Sequence, residues 1–179
     1  GGPLTGGPVT VRGIDPSFLR MAIMKLSAMG CQVETGEDWI TVKREGALMP
    51  TDLQTLPHPG FPTDLQAQFM LLAALADGTS VITENVFENR FMFAAELMRM
   101  GADISLEGHH ALVRGVSGLQ GAPVKSTDLR GGAALVLAGI VAEGETKVYK
   151  IGHIDRGYED YVGKLNAMGA CVERVTVDD

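Results

Sequence analysis

Leu97-Met98-Arg99-Met100-Gly101-Ala102-Asp103-Ile104 decides the fold, because the chain repeats its pattern. It returns as Leu26-Ser27-Ala28-Met29-Gly30-Cys31-Gln32-Val33 and as Leu165-Asn166-Ala167-Met168-Gly169-Ala170-Cys171-Val172. Each copy reads as an amphipathic helix that stops at a glycine and passes into a strand. A second joint recurs between them: Leu4-Thr5-Gly6-Gly7-Pro8-Val9-Thr10-Val11, Leu75-Ala76-Asp77-Gly78-Thr79-Ser80-Val81-Ile82 and Val141-Ala142-Glu143-Gly144-Glu145-Thr146-Lys147-Val148. Here too a helix ends at glycine, and a β-branched strand follows. The middle unit therefore predicts a strand over 51–56, a helix over 64–77, a strand over 79–85, a helix over 90–100, and strands over 102–106 and 110–114.

The outer units are incomplete at opposite ends. The first lacks the opening strand and helix, and the third stops after Glu173-Arg174-Val175-Thr176-Val177 without its last strand. The expected fold is α/β (α+β), in repeated strand-helix-strand-helix-strand-strand units that bury their helices together in the middle. Unit boundaries fall at about 5–46, 47–117 and 118–179 of a single lobe, with residues 1–4 read as an expression scar or a cut end.

Composition narrows the function. At 179 residues, 45% hydrophobic and 21% charged, the chain can build one sizeable core. A net charge of -7 argues against nucleic acid as a main partner, because a phosphate backbone wants a basic surface. No apolar run reaches membrane-spanning length and no basic-then-apolar leader is present, so neither a membrane role nor export is expected. Two cysteines make no disulfide framework, and a reducing cytoplasm is the simplest setting.

Charge gathers at helix starts. Pro57-His58-Pro59-Gly60-Phe61-Pro62-Thr63-Asp64-Leu65 is a proline-fixed loop opening a helix, with Thr63 and Asp64 where an N-cap and first turn belong. Asp64 either caps that helix or acts as a general base at the mouth of a rigid loop. Thr127-Asp128-Leu129-Arg130 repeats the arrangement one unit later. The second helices are expected near Asp15-Pro16, Asn89-Arg90 and Asp155-Arg156. Arginine in a first helical turn opposes the dipole, and it does so twice here, beside free amides that attract anions. Two Asp and two Arg residues thus converge at one end of neighbouring units. They form either an anion site worked by a carboxylate or a structural network pairing Asp64 with Arg90 and Asp128 with Arg156.

Other candidates read as structural. His109-His110 occupies a predicted hairpin turn without metal-ligand spacing. Cys31 and Cys171 follow helix-ending glycines and read as small core residues. Met21, Met24, Met29, Met98 and Met100 have helical spacing and read as core. His58 reads as fixing its loop. Gly131-Gly132 allows close approach of a ligand or of a neighbouring helix.

Four stretches are long and unusual: His58 to Gln68, Glu88-Asn89-Arg90-Phe91-Met92, Thr127-Asp128-Leu129-Arg130, and His153-Ile154-Asp155-Arg156-Gly157-Tyr158-Glu159. In this order they resemble the UDP-N-acetylglucosamine 1-carboxyvinyltransferases, the enolpyruvyl transferases that open peptidoglycan synthesis. The resemblance covers nearly the whole chain after about Thr5 and implies an inside-out α/β barrel lobe of three units. It matches only the C-terminal lobe, with the N-terminal lobe as the missing partner. It implies UDP-N-acetylglucosamine and phosphoenolpyruvate as substrates and no metal or organic cofactor. Asp64 matches the aspartate at the sugar 3-hydroxyl, the base. Val86, Phe87 and Arg130 match substrate contacts. Arg90 and Arg156 match arginines near phosphoenolpyruvate, and Asp128 a carboxylate near them, so Asp64, Arg156 and Asp128 are the expected catalytic set. The chain departs from the family pattern at Phe93, often His, at Gly131-Gly132, more commonly Ala-Ser, and at Asp160-Tyr161. A stand-alone α/β module binding an anionic metabolite or a protein, and the shikimate-pathway enolpyruvyl transferase, are the rival readings.

Overall fold

The computed structural model describes residues 2–176. The first unit comprises α1 (Gly2–Thr5), β1 (Val9–Arg12), a 3-10 turn (Pro16–Leu19), α2 (Arg20–Ala28), β2 (Cys31–Thr35) and β3 (Trp39–Arg44). The second comprises β4 (Leu53–Gln54), a 3-10 turn (Thr63–Leu65), α3 (Gln66–Ala74), β5 (Thr79–Thr83), α4 (Met92–Arg99), β6 (Asp103–Glu107) and β7 (His110–Arg114). The third comprises β8 (Pro123–Lys125), α5 (Leu129–Val141), β9 (Lys147–Tyr149), α6 (Gly152–Gly157) and α7 (Tyr161–Ala167).

The glycines explain where helices stop. Gly30, Gly101 and Gly169 have φ of 85°, 95° and 93°, a left-handed backbone that a side chain resists. Each follows a helix at the repeated position, and in the first two units a strand begins at once. The order of strands repeats as well. The middle sheet runs β4-β5-β7-β6, with β4 and β5 parallel and the rest antiparallel; the first sheet, β1-β3-β2, is the same arrangement without the opening strand. Among the described residues the third has the parallel pair β8 and β9.

No strand forms over 170–176, and Val177 lies outside the described residues. A strand needs a neighbour for its amides and carbonyls. Here the side chain of Asn166 substitutes for one, accepting from Val172 N–H at 2.9 Å and donating to its carbonyl at 2.7 Å.

The helices α3 and α5 lie in the middle, whereas α2 and α7 each bury a single residue. Eight of the nine residues of α3 are buried, as an almost wholly apolar sequence requires. It packs on α5, which also packs on α4 and α6. Close approach here depends on missing side chains. A Cβ on Gly131 would lie 2.7 Å from the Phe93 Cβ on α4, and one on Gly132 would lie 2.1 Å from Ser126 Oγ. Gly131 therefore makes room for Phe93 on α4, and Gly132 for the Ser126 side chain in the loop before α5.

Several expectations are corrected. Cys171 is exposed, because the segment carrying it has no sheet to cover it; Cys31 is buried, and burial raises its thiol pKa. Met24 and Met98 are exposed, whereas Met29 and Met100 are buried; the apolar faces of these short helices are narrower than their methionine content. His109 and His110 are exposed at the β6–β7 turn, as expected. Among the described residues no helix is long and apolar enough to cross a membrane.

Candidate active site

The loop before α3 is closed by its own backbone: Leu56 N–H donates to Phe61 carbonyl at 3.1 Å and Gly60 N–H to Pro57 carbonyl at 2.8 Å. Phe61 is buried edge-on against Phe69, which anchors the loop to α3. The helix then opens through Thr63–Leu65 with Pro62, not Thr63, at the cap position and no side-chain cap. Both expected capping groups are engaged elsewhere. The Thr63 hydroxyl donates to Glu84 at 2.9 Å. The Asp64 carboxylate takes two guanidinium groups, Oδ1 from Arg90 Nη2 at 3.0 Å and Oδ2 from Arg130 Nη2 at 2.8 Å. Asp64 is therefore not a cap; it is the centre of a charge cluster whose side chain is 53% exposed, while Arg90 and Arg130 are 24% and 30% exposed.

Arg90 reaches this cluster from a turn, since α4 starts only at Met92. It does not oppose a helix dipole. Asn89, at φ 56°, turns the chain so that the Arg90 guanidinium lies 5.1 Å over the Phe87 ring. Arg130 comes from the first turn of α5. Its Nη1 donates to the Tyr158 hydroxyl at 3.1 Å, and its guanidinium lies 5.6 Å from that ring centre. The bonds to Asp64, first, and to Tyr158 raise its pKa further.

Asp128 does cap a helix: its Oδ1 accepts from the Arg130 and Gly131 amides, both at 2.9 Å. It supports Arg130 from below and makes no bond to Arg156. Arg156 sits in the last turn of α6, where a cation suits the carbonyl end of the helix. Its Nε donates to Gly152 carbonyl at 3.2 Å and its Nη2 lies 2.8 Å from His153 Nδ1. Of the expected network, then, the Asp64–Arg90 pair forms and the Asp128–Arg156 pair does not, because the motif carrying Arg156 closes a helix instead of opening one. Asp64, Arg90 and Arg130 are brought together, with Val86 and Phe87 beside them; Arg156 is exposed and bonded within its own helix.

Sequence reasoning missed the second arginine on Asp64 and the role of Tyr158. The latter lies in the quoted stretch ending at Glu159. Val86 and Phe87 belong to an irregular segment whose amides are tied to the buried Glu84.

A model of the EPSP synthase (3-phosphoshikimate 1-carboxyvinyltransferase) family matches residues 1–165. The chain belongs to the EPSP synthase family. Within it, the chain is 53% identical over 176 residues to a UDP-N-acetylglucosamine 1-carboxyvinyltransferase of Aeromonas salmonicida, covering 98% of this chain and 42% of that protein. It is 55% identical over 171 residues to UDP-N-acetylglucosamine 1-carboxyvinyltransferase 3 of Caldanaerobacter subterraneus, covering 96% and 41%. The fold matches the enolpyruvyl transferase NikO from Streptomyces tendae, with a TM-score of 0.87 at 30% identity, over 96% of this chain and 41% of that one. An EPSP synthase from Acinetobacter baumannii matches over 96% and 43%, with a TM-score of 0.75 at 20% identity, which speaks for the shared fold alone. The chain thus spans about two fifths of the length of the curated relatives it matches. The likeness drawn from the four motifs is borne out, as is the enolpyruvyl transferase-like α/β fold.

Proposed function

We propose that the chain is one lobe of an enolpyruvyl transferase that moves the enolpyruvyl group of phosphoenolpyruvate to the 3-hydroxyl of UDP-N-acetylglucosamine, the opening step of peptidoglycan synthesis in the cytoplasm. The observation that carries this reading is the Asp64 carboxylate held between the forks of Arg90 and Arg130 at the mouth of a rigid loop. The relatives favour this acceptor over shikimate, since those at 53% and 55% identity are named for it.

In this reading Asp64 takes the proton of the sugar hydroxyl as its oxygen attacks C2 of phosphoenolpyruvate and C3 gains a proton. Phosphate then leaves the tetrahedral intermediate as its C3 methyl gives up a proton, which restores the double bond and leaves the enolpyruvyl ether. Arg90 and Arg130 offer planar forks to carboxylate and phosphate oxygens. An anionic substrate competes with Asp64 for them, which frees a carboxylate oxygen to act as base. Arg156 joins when the α6 end faces the same anion, and Asp128 sets the Arg130 backbone. The donor of the C3 proton and the opposite wall of the cleft belong to the other lobe. One wall leaves the substrates in water, where fixed charges do little.

The test is phosphate release from UDP-N-acetylglucosamine and phosphoenolpyruvate. The chain alone is expected to release none and to gain activity when the rest of the enzyme is supplied. In the complete enzyme, Asp64→Asn should lower turnover by about 10²–10⁴ while UDP-sugar binding changes far less. Release by the isolated chain, or near-normal turnover in the Asn variant, would overturn the reading.

A further inference from the structure

Glu84 is a buried carboxylate, 3% exposed, just past the end of β5. Four neutral donors converge on it. Its Oε1 accepts from the Thr55 hydroxyl at 2.8 Å and from the amides of Val86 and Phe87 at 2.8 and 3.1 Å, and its Oε2 accepts from the Thr63 hydroxyl at 2.9 Å. Thr55 is itself buried, and its hydroxyl and carbonyl in turn accept from the Asn85 amide and side chain, at 2.9 and 3.2 Å. Among the described residues no lysine or arginine pairs with Glu84. Burying a charge without a counter-ion is costly, and an apolar side chain filling the same space would hold the fold at less expense. What the carboxylate does that an apolar group cannot is join backbone amides to a distant hydroxyl.

The bonds form a closed circuit through the site. Glu84 holds Thr63; Thr63 is followed by Asp64; Asp64 binds Arg90; Arg90 lies over Phe87; and the Phe87 amide returns to Glu84. The loop carrying Asp64 and the irregular segment carrying Val86 and Phe87 otherwise come from separate stretches of chain. We infer that Glu84 is a positioning residue of the transferase site, a staple that sets the distance between the base Asp64 and the substrate-contacting Val86–Phe87 segment. The inference rests on the transferase reading above, deepening it by one residue that does not itself touch substrate. Misplacement of a reacting group by about 1 Å can cost on the order of 10² in rate, so a loosened staple should slow the chemical step more than it weakens binding.

Two experiments test this. In the complete enzyme, Thr63→Val removes one strut and leaves the other three bonds of Glu84 in place. It should lower kcat by about tenfold or more, with KM for both substrates and the melting temperature nearly unchanged, and Thr63→Ser, which keeps the hydroxyl, should restore turnover. Wild-type turnover in Thr63→Val, or a Thr63→Ser variant as slow as Thr63→Val, would overturn the assignment. Independently of any activity, amide hydrogen exchange on the 179-residue chain should find Val86 and Phe87 protected although they lie outside the sheet. Glu84→Gln should speed both by about tenfold relative to Ile82, since a neutral acceptor holds an amide about half as strongly as a carboxylate. Unprotected amides, or exchange unaffected by the substitution, would remove the staple. A complete enzyme that releases no phosphate would instead overturn the transferase reading, and the exchange measurement would still decide the staple.

Discussion

Arg130 divides its guanidinium between Asp64 and the Tyr158 hydroxyl, and Tyr158 stacks on Tyr161 with ring centres 4.9 Å apart. The Tyr161 hydroxyl donates to the Ala133 carbonyl at 3.0 Å. Burial, followed by the neighbouring Tyr158, pushes its pKa well above the ordinary tyrosine range. The sign of the consequence is fixed. Raising the pKa in the folded state stabilises the fold below the unfolded tyrosine value, near 10, and that stability is lost as the pH climbs past it. A spectrophotometric titration of the native chain should therefore show a tyrosine signal that resists ionisation well above about pH 10. The resistant signal should disappear in Tyr161→Phe. A high-pH tyrosine signal that Tyr161→Phe leaves unchanged, or the absence of any such signal, would show that Tyr161 is not shielded as described.

Packing between α4 and α5 turns on Gly131, whose missing Cβ makes room for Phe93. An alanine would gain helix propensity worth about 1 kcal/mol. It would also press on a Cβ, which cannot swing away as a side-chain tip can, and such overpacking costs about 1–3 kcal/mol. The clash should win. Gly131→Ala is expected to lower the melting temperature by a few degrees, at ~2–4 °C per kcal/mol for a chain this size, and unchanged or improved melting would show that α4 and α5 can part freely. At this scale the sequence was most readable where backbone geometry demanded one residue type. The glycines at 30, 101 and 169 marked helix ends in advance because positive φ favours glycine so strongly. Asp15, before Pro16, was equally plain, and it does accept from the Ser17 amide. Arg156 was misjudged because an Asp-Arg pair looks alike at either end of a helix until the chain around it folds. Glu84 gave no local signal at all: its hydroxyl partners Thr55 and Thr63 lie 29 and 21 residues away. Pairings of that kind are made by topology, and nothing in the neighbouring residues announces them.

For the whole molecule, the shared helical middle matters more than the resemblance between units. A linear repeat array touches only its neighbours and can unfold piecemeal. Here α5 contacts α3, α4 and α6 together, and Leu135 on it is fully buried. Leu135→Ala should cost about 2–5 kcal/mol, a large share of the roughly 5–15 kcal/mol that holds such a fold. It should move a single unfolding transition, seen alike by far-ultraviolet circular dichroism and by fluorescence of Trp39 in the first unit. Separate transitions for the first unit and the rest would show that the middle does not bind them into one.

The two-stranded sheet of the third unit has a further consequence. β9 is paired to β8 on one side, and among the described residues nothing bonds its other side. Such a margin can accept another extended chain, including one from an identical molecule. Lys147 and Lys150 flank the exposed Tyr149 there, and in an edge-to-edge encounter like charges would face one another. Their repulsion, together with the net charge of -7, opposes stacking of copies in dilute buffer. Added salt screens both within about 8 Å at physiological strength. Colloidal behaviour, a property with no bearing on catalysis, is thus written into a strand of three residues.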